Sequence, residues 1–155
     1  MNPTLTSPAG RVAGIDYGTV RIGIAISDPD RILSSPYETY VRKNEKADAA
    51  YFQRLVHEER IVQFVVGLPV HLSGDASEKS KESAEFADWL AQQTGIPVDF
   101  VDERFTSVEA EHHLRGAKLT NKRRKDRRDK IAAQILLATY LESGPTLPEQ
   151  IAGLG

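Results

Sequence analysis

The sequence predicts an α/β protein built on one mixed sheet with helices on both faces. Three observations carry this. The first third reads as short apolar strands joined by tight turns. The rest alternates buried-type strands with amphipathic helices. The last helix is apolar nearly all round, so it must pack on the sheet and not lie at the surface.

The elements follow in order. Val12–Asp16 and Ile22–Ser27 are apolar runs joined by residues 17–21, a length suited to a hairpin. Asp28-Pro29-Asp30 is a turn signal, and a third strand is expected near Tyr37–Val41. Asn44 caps a helix to about Arg60, with Ala47, Tyr51 and Leu55 on one face. Ile61–Val66 is apolar on both faces, as a buried parallel strand would be, and Gly67-Leu68-Pro69 ends it. A helix over residues 78–93 presents Ser83, Phe86, Ala87 and Leu90, and Gly95 and Pro97 terminate it. Pro97–Val101 is the next strand. Thr106 and Glu109 form a capping box, so another helix begins just past Glu103. The basic segment after it reads as a mobile loop, followed by the last helix over about residues 126–142.

The 155 residues fit a single domain, with its ordered core over about 11–142. With 40% hydrophobic and 27% charged residues the chain is of soluble globular type. Cysteine is absent, which excludes disulfides and thiolate metal sites and agrees with a cytoplasmic protein. No apolar run is long enough for a bilayer, and Met1–Gly10 lacks the apolar core of a secretory signal.

The net charge of −2 conceals an asymmetry. Residues 115–130 hold nine Lys and Arg against two Asp, a net of +7, while the remainder carries −9. Such a segment releases counterions on meeting a polyanion and binds it in a salt-sensitive, largely sequence-independent way. No aromatic residue is interleaved there, so base stacking is not implied. The competing reading is a solvated charged loop.

Three carboxylates stand where an α/β fold can gather them: Asp16 and Glu103 at strand ends and Asp129 near the start of the last helix. Carboxylates without Cys or His pairs favour a hard cation such as Mg²⁺. Beside a basic surface, that points to cutting a nucleic-acid backbone. Taken singly, each acid also reads as a solvated chain end, and Asp129 would gain from a helix dipole in any case. Strand alternation leaves open whether Asp102 or Glu103 faces the site. In Gly14-Ile15-Asp16-Tyr17-Gly18-Thr19, glycine would let a substrate backbone approach, and Thr19 with the turn amides would hold a phosphate; an ordinary hairpin turn fits equally. Arg21 and Arg104, beside the acids, would pair a phosphate or neutralise the carboxylates. Lys122, Arg123, Arg124, Lys125, Arg127 and Arg128 form the densest part of the nucleic-acid-binding segment. His57, His71, His112 and His113 have no ligand spacing and read as surface or packing residues.

Residues 14–23, Val66-Gly-Leu-Pro69 with Gly74, Asp102–Ser107 and Asp129–Ala133 together resemble the YqgF-type family, Holliday junction resolvase-like proteins and nucleases maturing pre-16S ribosomal RNA. The resemblance spans roughly residues 12–142. It implies an RNase H-like fold, a five-stranded mixed sheet with its first three strands antiparallel. It also implies Asp16, Glu103 and Asp129 as a metal-dependent active site, in preference to Asp102. Arg128 departs from the aliphatic residue expected there. The leading expectation is therefore a Mg²⁺- or Mn²⁺-dependent endonuclease processing the 5′ end of pre-16S rRNA, in contact with ribosomal precursor particles, as monomer or homodimer. The alternatives are a resolvase of branched DNA and a non-catalytic RNA-binding ribosome-assembly factor. An actin-like sugar kinase shares the Asp-x-Gly-Thr turn but generally needs two such domains.

Overall fold

A computed structural model describes residues 10–68, 78–102 and 121–144, and for residues 121–126 the helical backbone alone. The order is β1 (Arg11–Asp16), β2 (Arg21–Ser27), β3 (Ser34–Val41), α1 (Glu45–Glu59), β4 (Ile61–Leu68), α2 (Glu78–Thr94), β5 (Val98–Asp102) and α3 (Asn121–Ser143). The strands form one sheet in the order β3-β2-β1-β4-β5. β1, β2 and β3 run antiparallel, while β4 and β5 lie parallel to β1.

Local chemistry explains the element ends. Asn44 accepts a hydrogen bond from the Ala47 amide at 2.8 Å and caps α1. Gly95, at φ 73°, donates its amide to the Ala91 carbonyl and closes α2 in the left-handed conformation that glycine adopts without strain.

The two faces of the sheet bury different clusters. Ala13, Ile15, Ile22, Ile24, Phe64 and Val66 pack with Phe52 and Leu55 of α1 and Phe86, Ala87 and Leu90 of α2. Val12, Ala25, Val65 and Val101 pack with Ala133, Leu136 and Leu137 of α3. Period-two alternation divides β1, β2 and β5 between these faces.

Three expectations need correction. The core face of α1 is Asp48, Ala49, Phe52 and Leu55, one residue round from the face through Ala47 and Tyr51. Tyr51 stays at the flank, stacked on Tyr40 with ring centroids 4.0 Å apart. β3 starts at Ser34, where the Ser34 hydroxyl and carbonyl bond the Gln134 carbonyl and side-chain amide of α3. The last helix starts at Asn121 and not near residue 126, so Lys122 to Lys125 are helical and not a loop. Arg and Lys are good helix formers, and the run continues a helix anchored further on by its packed face. Arg128, the departure from the family pattern, lies exposed within this helix. The helix expected after Glu103, with His112 and His113, falls outside the described residues, as does His71. His57 is exposed on α1.

Candidate nuclease site

The site is assembled at the carboxyl end of β1. Val12 and Gly14 face α3, so alternation turns Asp16 to the same side. Across the antiparallel pair, the partner of Asp16 is Gly23 of β2. A Cβ built on Gly23 would lie 2.0 Å from the Asp129 carbonyl oxygen and 3.0 Å from the Asp129 Cβ. Helix α3 therefore rests its backbone on Gly23, and Asp129 arrives beside Asp16. Directly opposed Cβ positions lie about 4.5–5.5 Å apart. The Asp16 and Asp129 Cβ atoms are thus separated by at most about 8.5 Å. Both residues are half-buried.

Gly14 makes the second close approach. Its missing Cβ would meet Leu137 Cβ at 2.8 Å and the Ala133 carbonyl at 3.1 Å. A Cβ on Gly18 would lie 2.4 Å from the Arg21 carbonyl, so that glycine lets the β1–β2 turn close on itself. The space that Gly14 and Gly18 open is filled by the protein's own chain and not by a substrate backbone, which corrects that expectation. Asp129 sits more than two turns inside α3, so the helix dipole does not account for it.

The remaining candidates divide by position. Arg21 begins β2 on the α3 face, in alternation with Gly23 and Ala25. Thr19 is exposed in the turn. Arg127 and Arg128 are exposed on α3, and Lys122, Arg123, Arg124 and Lys125 lie in its first turns. Val101 packs on the α3 face, so Asp102, half-buried, alternates to the opposite one. Glu103 and Arg104 follow directly and lie outside the described residues. Among the described residues no three metal-ligating side chains converge. The described pair, Asp16 and Asp129, are oxygen donors of the kind Mg²⁺ and Mn²⁺ take, so the donor chemistry fits.

A polar network behind the turn was missed from sequence. Asp48, 1% exposed, accepts from Tyr40 Oη at 2.7 Å, the Lys43 amide at 3.0 Å and Arg42 Nε at 3.2 Å. Arg42 also donates to Tyr17 Oη at 2.9 Å, and Tyr17 adjoins Asp16. Burial pushes the Asp48 carboxyl up. The hydrogen bonds from Tyr40, Lys43 and Arg42 outweigh it and hold the group below its ordinary value. Tyr40 is pushed up to about 12 by burial first and by Asp48 second. The available signal was the spacing of Asp48, Phe52 and Leu55 at i, i+4 and i+7, which sets an acid on a core face.

A five-stranded sheet with three antiparallel and two parallel strands and helices on both faces defines an RNase H-like domain. Two solved structures share the fold: Thermus thermophilus RuvC alone (TM-score 0.55, 16% identity, 87% of this chain and 97% of that one) and bound to a Holliday junction (TM-score 0.54, 17% identity, 88% and 98%). The model of the family described as "RuvX: Holliday junction resolvase" matches residues 10–143, and the chain belongs to that family. Curated relatives carry the name "Putative pre-16S rRNA nuclease". One from Rhodopirellula baltica is 50% identical over 91% of this chain and 86% of its own length. Another, from Syntrophomonas wolfei, is 43% identical over 86% and 95%. The protein is a phosphodiester-cleaving nuclease by family.

Proposed function

We propose that this nuclease trims the 5′ end of pre-16S ribosomal RNA in the cytoplasm, within or beside ribosomal precursor particles, and that Asp16, Asp129 and Glu103 carry the catalysis. The observation that carries the site is the contact of Gly23 with Asp129, which leaves two carboxylates on one face at the sheet's end. Glu103 is the third carboxylate of this reading. When bound by these carboxylates, one or two Mg²⁺ or Mn²⁺ ions supply Lewis-acid stabilisation of the phosphate and a nucleophilic water.

The chain's own groups do the rest. Asp16 and Asp129 hold fixed oxygen donors because their backbones sit on a strand and on a packed helix. Arg21, on the same face, pairs a phosphate oxygen next to the scissile one. Thr19, in the β1–β2 turn, and Arg104 hold neighbouring phosphates. The cations of Lys122, Arg123, Arg124, Lys125, Arg127 and Arg128 bind the RNA backbone electrostatically and leave the choice of site to RNA shape. The relatives' names support the RNA substrate, while the family description favours branched DNA as the second reading.

The test offers labelled pre-16S rRNA and a four-way DNA junction to the wild type and to Asp16→Asn with Mg²⁺. The proposal expects RNA cleavage by the wild type, loss of cleavage in the variant and retained RNA binding. Junction cleavage without RNA cleavage transfers the site to the resolvase reading. Undiminished cleavage by Asp16→Asn removes Asp16 from the site.

A further inference from the structure

On the face of the sheet opposite α3, an open groove of ≈ 650 Å³ runs from the β1–β2 turn across the start of α1 to α2. Its floor is aromatic: Tyr17 lies 4.7 Å from Phe86, and Phe86 lies 5.5 Å from Trp89, both at tilted angles. Its rim is acidic. Glu45, Glu82 and Glu85 line it, and among the described lining residues Lys43 is the cation left once Arg42 is paired with Asp48. A phosphodiester chain would meet net repulsion at its α2 end, where Glu82 and Glu85 lie, while the turn with Thr19 forms the other end, next to Asp16.

The groove already holds one guanidinium. Arg42 Cζ lies 5.4 Å from the Tyr17 ring centroid and 5.9 Å from that of Phe86. Planar guanidinium on an aromatic face with a carboxylate beside it is a favourable arrangement for arginine and a poorer one for lysine. The outer part, from Phe86 to Trp89 with Glu82 and Glu85 on the same helix, repeats those components. The chain's own basic helix packs on the other face of the sheet.

We infer that this groove docks an arginine-rich segment of a protein partner, of the kind that proteins bound to RNA carry as basic extensions, and so anchors the nuclease beside its substrate. The inference does not depend on which nucleic acid is cut.

Trp89 is the sole tryptophan of the chain, so its fluorescence reports the groove directly. The experiment titrates the full chain with an oligoarginine peptide, an oligolysine peptide of equal length and single-stranded RNA, and repeats the series with Glu82→Gln/Glu85→Gln. The expected result is a saturable change in Trp89 emission with oligoarginine. Oligolysine should bind several-fold more weakly, and the double variant should weaken oligoarginine binding by at least about five-fold. Cleavage without peptide should be unchanged in the double variant. Equal response to both peptides, or survival of the response in the double variant, reduces the effect to diffuse charge attraction and overturns the proposal. So does RNA shifting Trp89 emission in place of the peptide, or a concentration-dependent shift without peptide, which assigns the groove to a second copy of the chain.

Discussion

Replacing Gly23 by Ala tests the geometry on which the site depends. The added Cβ would stand 2.0 Å from the Asp129 carbonyl oxygen, a backbone atom that no rotamer change can move. Side-chain carbons essentially never approach closer than 3.0 Å, so α3 must lift from β2 by about 1 Å. Overpacking of this kind costs about 1–3 kcal/mol. The effect on activity is larger in proportion. The same lift carries Asp129 away from Asp16, and a misplacement of about 1 Å costs on the order of 100-fold in rate. The assay is single-turnover cleavage beside urea denaturation, with Gly95→Ala as the control. Gly95 has φ 73° and nothing within 4 Å of its Cβ position, so that variant loses about 1 kcal/mol through backbone strain alone. The expected pattern is a folded Gly23→Ala protein with cleavage down about 100-fold, against a Gly95→Ala protein with near wild-type cleavage. Wild-type cleavage in Gly23→Ala would refute the reasoning, because it would show that the helix position does not matter to the chemistry.

Three further outcomes follow from the same structure. Asp48→Asn should cost about 2–3 kcal/mol by breaking a buried, charge-assisted set of hydrogen bonds. Because the folded Asp48 pKa is lowered, its contribution is complete above about 3.9 and fades as pH falls through the lower folded value, so the variant's stability should decline less in acid. At the alkaline end, Tyr140 is pushed up to about 12 by burial first and then by its 2.8 Å bond to Asp99. The neutral phenol is the favoured form, so its contribution holds below pH 10.0 and is lost toward about 12, and Tyr140→Phe should flatten that part of a denaturation profile. Arg127→Ala should lower the slope of log affinity against log salt by about 0.7–0.9 while leaving the rate of bound substrate unchanged, and an unaltered slope would remove Arg127 from the RNA contact.

Local signals served well where residue chemistry acts over a few positions. The apolar runs at β1 and β2, Asn44 as a cap, Gly95 as a terminator and the Ser83–Leu90 face of α2 all emerged as read. The face of α1 was misjudged because Ala47-Asp48-Ala49 and Tyr51-Phe52 offer two adjacent apolar stripes. Contact of Phe52 with Phe64 and Phe86 selects between them. The start of α3 was misplaced because a dense run of like charge also reads as a solvated loop, although Lys and Arg carry helix propensity.

Strands, helices, their order and the acids at their ends were thus written in the chain, since period and capping are properties of neighbours in sequence. The meeting of Asp16 with Asp129 was not, because it rests on strand register and on missing side chains at Gly14 and Gly23. A hydrogen in place of a methyl carries no message about its purpose until another surface comes to lie against it, and that happens only when the sheet and the helix have closed.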